Sequence, residues 1–389
     1  MDLTAVMLSC PRFRRVAERL RYKSLDIFLV NRGLGKRYCS LIYRSLMGRP
    51  QRLTYCQALR LHFPQYTTEL TLGDLNLRRR MEDIVSRLEN VQHLTIDGRI
   101  SSRVLDDLPS KISKYMPQLK TIDLFGCAEN LDIIELVEGL NLPMLESFRM
   151  HGSFNGENGN PRSADKNKLG IASVTSLYIE KYIQGPEPLT SLIQWPRALE
   201  KLCLRPQNTP YHRFFKMITM VLLPYKETLR HLEIGPLNVL VPGSIFQACF
   251  FSNLDYLEFE MDSLICTPEV AARELFSGSL KTLAIDFRNG DLRQLYATSR
   301  EDVKTGIKWW EEFLQEMSQL PNLQTARREI VFKNVGRERD LILRSSWEDV
   351  APWARTMDKI CEDFKSQAEE FGVTLSYELG VTLSYELEI

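Results

Sequence analysis

Few residues in this chain have a spacing that could support catalysis or metal binding. The run NRGLGK at 31–36 lacks the G-x-x-x-x-G-K-[ST] spacing of a phosphate loop, and Arg37 stands where that loop needs a hydroxyl. The five histidines form no H-x-x-x-H pair and no cysteine–histidine cluster of zinc-finger spacing. No G-x-S-x-G motif marks an activated serine. We therefore expect no catalytic site, no metal and no cofactor.

Binding chemistry is better represented, because arginine, aromatic and acidic residues alternate with leucines in many short segments. Side chains along a strand alternate between its two faces, so the residues between the leucines share one exposed face. This pattern predicts a partner-binding face made of Arg60, His62, Asp123, Phe125, Arg149, Tyr178, Glu180, Arg205, Glu233, Tyr256, Glu258, Glu260 and Asp286. The last four acidic residues would form a strip beside Tyr256, which favours a protein partner with a basic segment. The alternative is that these positions are polar only for solubility.

The segments that position these residues are octets with an L-x-x-L-x-L arrangement, as in LKTLAIDF at 280–287. A looser copy, QALRLHF, stands at 57–63. The central apolar residues of the eight regular octets lie 25 to 30 residues apart: Leu94, Ile122, Phe148, Leu177, Leu202, Leu232, Leu257 and Leu283. A period of roughly 20–29 residues is typical of leucine-rich repeats. Each octet is therefore predicted to be one strand of a parallel sheet.

Helical patterns fill the spaces between octets, as in DLNLRRRMEDIVSRLEN at 74–90 and PEVAARELFSG at 268–278. We therefore predict an α/β leucine-rich-repeat solenoid, a curved horseshoe with the sheet on its concave side and helices on its convex side. Helical caps are expected at both ends. The predicted regions are a cap at 1–50, repeats at 51–371 and a tail at 372–389, in which GVTLSYEL occurs twice in tandem.

The N-terminal residues 1–28 fit a helix, a turn and a second helix. Phe13, Val16, Ala17 and Leu20 fall on one face of the second helix at helical spacing. In residues 34–47, a further amphipathic helix is predicted to turn Leu34, Tyr38, Leu41, Ile42 and Leu46 inward.

The segment TAVMLSCPRFRRVAERLRYKSLDI at 4–27 resembles the second half of an F-box, as found ahead of leucine-rich repeats in many fungal proteins. The resemblance is carried by Cys10, Arg12, Phe13, Arg14, Val16, Ala17, Tyr22 and Leu25. It implies that Leu3, Val6 and Leu8 face a ubiquitin-ligase adaptor, while Phe13, Val16, Leu20 and Tyr22 fold the motif. F-boxes open with a Leu-Pro-x-Glu helix that this sequence lacks, so the motif is expected to be truncated. The alternative is a plain pair of capping helices.

Bulk composition limits the kinds of partner. Fifty basic and fifty acidic residues balance, which argues against nucleic acid or a membrane surface as the partner. Eight scattered cysteines without a C-x-x-C pair favour reduced thiols, and neither a secretory signal nor an apolar run of about 20 residues is found. We expect a cytoplasmic or nuclear protein.

The function predicted from these patterns is protein binding. The resemblance implies a substrate-recognition subunit of a cullin-type ubiquitin ligase, with the target held on the concave face. The alternative is a leucine-rich-repeat scaffold, or a regulator of an enzyme or GTPase, with no role in ubiquitin transfer.

Overall fold

The computed structural model of the chain describes residues 11–28, 34–63, 82–98, 108–126, 137–152, 169–182, 186–206, 214–235, 246–260, 267–276, 278–286, 328–333 and 373–378, together with 308–309, 312–313, 315–316 and 365. The chain divides into two compact units, Met1–Leu199 and Glu200–Ile389, called here the N-terminal and C-terminal units. Both combine helices with parallel strands.

The described strands of the N-terminal unit are β1 (Ser24–Phe28), β2 (Ala58–His62), β3 (His93–Asp97), β4 (Thr121–Phe125), β5 (Ser147–His151) and β6 (Ser176–Tyr182). Those of the C-terminal unit are β7 (Lys201–Pro206), β8 (His231–Ile234), β9 (Tyr256–Glu260), β10 (Thr282–Asp286), β11 (Arg328–Lys333) and β12 (Val373–Glu378). Within each unit, every strand pairs in parallel with the next one in the sequence. The prediction that each octet forms one parallel strand is confirmed.

The step from one strand to the next uses the same pair of backbone hydrogen bonds at the starts of β2 to β6 and of β8 to β10. Where β4 begins, the amides of Lys120 and Thr121 both donate to the carbonyl of Gln92, at 2.8 and 3.0 Å. The same pair of bonds occurs in the C-terminal unit where β9 begins: the amides of Asp255 and Tyr256 both donate to the carbonyl of Arg230, at 2.8 and 3.0 Å. This recurrence keeps the strands in register, because the residue that starts each strand is set by the strand before it.

The core of each unit consists of the inward residues of these strands. The first inward row of the N-terminal unit is Leu25, Leu59, Leu94, Ile122, Phe148 and Leu177, and each of these side chains is buried. The equivalent row of the C-terminal unit contains Leu202, Leu232, Leu257, Leu283 and Ile330, also buried. Burial of whole rows explains why the octets repeat: an isolated repeat has no neighbour against which to cover its apolar face.

The described helices are α1 (Pro11–Arg21), α2 (Leu34–Met47), α3 (Leu108–Tyr115), α4 (Pro186–Gln194), α5 (Phe214–Leu222) and α6 (Pro268–Leu275), with 3₁₀ turns at Pro50–Tyr55, Leu223–Tyr225 and Ala248–Phe250. Helices α3 to α6 each lie between two consecutive strands in the sequence. The first turn of α6 is capped by Thr267, whose hydroxyl accepts from the amide of Val270 at 3.5 Å.

The backbone geometry after β3 excludes any residue other than glycine at position 98. Gly98 has a φ of +102°, and a Cβ at this position would lie 2.0 Å from the carbonyl oxygen of Phe63. Its amide donates to the carbonyl of Phe125 at 2.9 Å, so the turn also extends the pairing of β3 with β4. A side chain here would break the close approach of neighbouring repeats.

Three details differ from the sequence-based expectation. Residues 24–28, expected to be part of a helix–turn–helix, form β1 and pair with β2, because Leu25 and Ile27 alternate with polar residues. Leu41, expected to point inward from α2, is 64% exposed, whereas Leu46 is buried. In residues 299–320 the helical spacing predicts an apolar stripe of Ile307, Trp310, Leu314 and Met317. Phe313, which is not in that stripe, is buried and packs beside Phe276.

Other parts of the predicted C-terminal cap lie outside the described residues. The β-forming residues of GVTLSYEL predict that one copy is an edge strand, and the first copy contains β12, which pairs with β11 at the end of the described strand order. The second copy, at 380–387, is not among the described residues.

The inward row predicts a stability difference between two leucines. Leu232→Ala removes a fully buried side chain and should lower the free energy of unfolding by about 2–5 kcal/mol. Leu41→Ala removes a side chain that is 64% exposed and should change it by less than about 0.5 kcal/mol. Denaturant midpoints measure both, and equal shifts would contradict the proposed core.

Candidate functional site

The outward residues of β1 to β6 form the exposed sheet face of the N-terminal unit. Because register is kept from strand to strand, they lie in rows that cross the strands. The middle row is Asp26, Arg60, Thr95, Asp123, Arg149 and Tyr178. The outer row is Phe28, His62, Asp97, Phe125, His151 and Glu180. All seven site residues predicted for this unit therefore share one face.

Contacts along the first half of this face link aromatic, basic and acidic groups. The Phe28 and His62 rings stack with centroids 4.2 Å apart. Asp97 Oδ2 lies 3.3 Å from His62 Nδ1 and accepts a hydrogen bond from the Arg60 guanidinium at 3.2 Å. About half of the Arg60 side chain and a third of Asp97 remain exposed. These groups are held in place but still open to a partner.

The second half of the face has a similar set of contacts. The guanidinium of Arg149 lies over the Tyr178 ring, 4.3 Å from its centroid, and 3.9 Å from the carboxylate of Asp123. His151 Nδ1 lies 2.5 Å from Glu180 Oε2, and Phe125 packs near the His151 ring. Burial raises the pKa of Asp123, although the charges of Arg149 and His93 partly oppose this. Arginine and tyrosine are frequent among residues that dominate protein interfaces.

The outward residues of the C-terminal unit form a closed polar cluster centred on Arg205. Its guanidinium donates to Glu233 at 3.1 Å and to Glu258 at 2.9 Å. The Tyr256 hydroxyl donates to the other oxygen of Glu258 at 2.5 Å. The Tyr256 ring stacks on His231, with centroids 4.1 Å apart. The charged groups of Arg205, Glu233 and Glu258 thus have hydrogen-bond partners within the cluster.

Burial shows how this cluster differs from the open acidic strip expected from the sequence. Glu258 and Asp286 are each only 3% exposed. Glu233 accepts from His231 at 2.7 Å and lies 3.4 Å from Lys201. The backbone of Glu260 ends β9, and its side chain lies outside the described residues. Alternation along the strands predicts that these acids share one face, but the pairing of Glu233 and Glu258 with Arg205 depends on contacts between residues up to 53 positions apart.

The charge state of Glu233 follows from its neighbours. Burial alone would raise its pKa, but hydrogen bonds from His231 and Cys203, with the charges of His231 and Lys201, outweigh burial and hold the pKa well below its usual range. Glu233 therefore stays ionised in the folded protein. Its contribution to stability is present above its unfolded pKa and is lost as pH falls towards the lower folded pKa.

Helix α1 forms a second candidate surface, distinct from the sheet. Its Phe13, Val16 and Leu20 are 57%, 56% and 55% exposed, whereas Ala17 is buried. The helix is held by Glu18, which accepts from Arg52 at 2.7 Å, and a hydrogen bond of 2.7 Å joins the Tyr22 and Ser45 hydroxyls. Tyr22 thus helps to hold the helix, while more than half of each of the Phe13, Val16 and Leu20 side chains is exposed. Leu3, Val6 and Leu8 lie outside the described residues.

The alternation rule also predicts that Thr95, Asp97 and His151 belong to the exposed face, as the register shows. Sequence reasoning missed two residues of this face, Asp26 and Phe28. Both lie on β1, which was expected to be helical. The missed signal is the alternation SLDIF, in which Leu25 and Ile27 are buried and the residues between them are exposed.

The described side chains of these surfaces offer ion-pair, hydrogen-bond and stacking contacts. Among the described residues, no group of three or more histidine, cysteine or acidic side chains is arranged to hold a metal ion. Within the same part of the chain, no helix has the length and apolar character to cross a bilayer. No protein-family profile matches the chain, and a search of curated proteins returns no significant match.

The Arg205 cluster predicts an acid-sensitive stability difference. Glu233→Gln should lower the free energy of unfolding by about 2 kcal/mol at pH 7, because a charge-assisted network loses its anion. The difference should shrink as pH falls below the ordinary Glu pKa of about 4.3, since the wild-type protein then loses the same contribution.

Denaturant titrations of both proteins at pH 7 and pH 3 measure this effect. The matched control, Glu227→Gln, changes an exposed glutamate of the same unit and should have little effect at either pH. A loss that is equal at both pH values would show that the Glu233 charge is not responsible.

Proposed function

We propose that the chain is a protein-binding module, the substrate-recognition subunit of a cullin-type F-box ubiquitin ligase. The target would lie on the exposed sheet face, and α1 would contribute to contact with the ligase adaptor. Catalysis would belong to other subunits, so the proposal assigns no enzyme activity, cofactor or metal to this chain. It places the protein in the cytoplasm or nucleus, with neither nucleic acid nor a membrane as its partner.

The finer fold that goes with this proposal is the leucine-rich-repeat solenoid with helical caps. In that fold the sheet would line the concave side and the helices the convex side. The recurring amide pairs at strand starts and the buried leucine rows support a leucine-rich-repeat architecture in each unit.

The observation that carries the ligase proposal is the apolar side of α1. More than half of each of the Phe13, Val16 and Leu20 side chains is exposed while Ala17 is buried, so the helix has apolar area available for a partner. The segment that contains these residues is the one that resembles an F-box. A partner that packed against this helix would bury them without disturbing its contact with Arg52.

The alternative function is a leucine-rich-repeat scaffold or regulator with no role in ubiquitin transfer. The observation that favours it is β1: residues 24–28, at the end of the F-box-like segment, pair with β2 in the repeat sheet. The segment 11–28 would then serve as the first repeat and its cap. Removing residues 1–28 would strip a strand from the sheet, so point variants are the cleaner test.

The ligase proposal predicts that Phe13→Ser with Leu20→Ser weakens adaptor binding by at least about tenfold, because both changes remove exposed apolar area. Pull-down and titration of the purified chain with the ligase adaptor measure this. Met220→Ser, which changes a side chain that is 60% exposed in the C-terminal unit, is the control and should bind like wild type. Absence of binding by the wild-type chain would favour the scaffold or regulator function.

A further inference from the structure

The exposed face of the N-terminal unit presents the same outward side chains twice. Strands β1 and β4 have the sequences SLDIF and TIDLF, β2 and β5 have ALRLH and SFRMH, and β3 and β6 contain HLTID and SLYIE. The outward Asp and Phe of the first pair and the outward Arg and His of the second pair are identical. The core requires only that the inward residues be apolar, so it does not account for this likeness.

The contacts are repeated together with the sequence. In set A (Phe28, His62 and Asp97), the imidazole of His62 lies between an aromatic ring at 4.2 Å and a carboxylate at 3.3 Å. In set B (Phe125, His151 and Glu180), the imidazole of His151 lies between a ring at 6.0 Å and a carboxylate at 2.5 Å. Sets A and B lie three strands apart in the sheet, which is about 14 Å at the usual spacing between strands.

The charge of this face favours a basic partner. The outward strand residues include four carboxylates, from Asp26, Asp97, Asp123 and Glu180, but only two guanidinium groups, from Arg60 and Arg149. With the histidines neutral, the middle and outer rows together have a net charge of −2, and the exposed Lys181 follows them at the end of β6. About a third of each of Asp97 and Glu180 is exposed. An exposed carboxylate near an aromatic ring suits the planar guanidinium of arginine, which can pair with the first and stack on the second.

The separation of the two sets selects the conformation of the partner. In an extended chain, side chains four residues apart point to the same side and lie about 14 Å apart, which matches the separation of the sets. In a helix, about 14 Å corresponds to nine residues, and residues nine apart point to opposite sides. An extended segment can therefore reach both sets at once, whereas one helix face cannot.

We propose that the exposed face of the N-terminal unit binds an extended segment of a partner protein that carries arginine at positions i and i+4. The segment runs across the strands, with one arginine at set A and the other at set B. This inference rests on the proposed protein-binding function and specifies the chemistry of the segment that is bound.

Fluorescein-labelled peptides of equal length, built on serine and threonine, test the spacing. Four peptides carry two arginines at i,i+2, i,i+4, i,i+5 or i,i+6, a fifth has a single arginine, and a sixth has two glutamates at i,i+4. Fluorescence anisotropy with the full chain at low ionic strength gives the affinities. The i,i+4 arginine peptide should bind about tenfold more tightly than any other, because it alone gains the second set of contacts.

Variants of the two carboxylates assign the binding to the two sets. Asp97→Asn and Glu180→Gln should each weaken binding of the i,i+4 peptide by about tenfold, to the level of the single-arginine peptide. The control Glu89→Gln changes an exposed glutamate in the turn before β3 and should bind like wild type. Circular dichroism of each variant confirms that the fold is retained.

Equal affinity for all spacings, tighter binding of the glutamate peptide, or wild-type affinity in both carboxylate variants would overturn this inference. These results are separable from the test of the ligase function. A chain that binds the adaptor but shows no preference for i,i+4 loses only the inference. A chain that prefers the i,i+4 peptide but binds no adaptor loses only the ligase role.

Discussion

The parallel register between consecutive strands is the constraint on which the other features depend. Two amides at the start of a strand donate to one carbonyl of the strand before it, and this arrangement recurs from repeat to repeat within each unit. Because the register is kept, inward residues collect into continuous apolar rows and outward residues into continuous polar rows. A slip of one residue would exchange the two faces. The candidate binding surface is therefore a direct consequence of the pairing that builds the core.

The two units use their outward rows differently. In the N-terminal unit, arginine, aromatic and acidic side chains pair with one another yet stay partly exposed, as Arg60 and Arg149 show. In the C-terminal unit, Arg205 draws Glu233 and Glu258 into a cluster that is largely buried. A buried ionic network has fewer charged groups available to a partner protein. Removing one member destabilises the fold, because it leaves the opposite charge buried without its partner. This difference favours the N-terminal face as the surface for recognition.

The strands from β2 to β10 were predictable, because inward apolar residues recur at every second position in each octet. Within each unit, the inward residue of one octet packs beside the equivalent residue of the next octet. The sequence did not predict β1, since SLDIF follows an amphipathic helix and lacks the leading leucine or valine of the regular octets. The burial of helix residues was less predictable. Apolar spacing predicted that α1 is a helix, but spacing alone does not determine whether Phe13 and Leu20 are buried, and both are more than half exposed.

The candidate site was predictable in part. Alternation placed Arg60, Asp123 and Arg149 on one face, as the structure shows. The burial of Glu258 was not predictable, because it depends on Arg205 and Tyr256, whose side chains meet it only after the strands have paired. The repetition of set A in set B was hidden by loops of unequal length and by the unrecognised β1.

The measurement that tests the parallel register most directly is disulfide formation between cysteines introduced on β3 and β4. His93 and Thr121 are in register, so the pair His93→Cys and Thr121→Cys should bring its Cα atoms to about 5 Å and cross-link on oxidation. His93→Cys with Phe125→Cys should remain reduced, because these residues lie at opposite ends of parallel strands. Cross-linking of the second pair and not the first would mean that the strands are antiparallel, and would contradict the repeat and the surface derived from it.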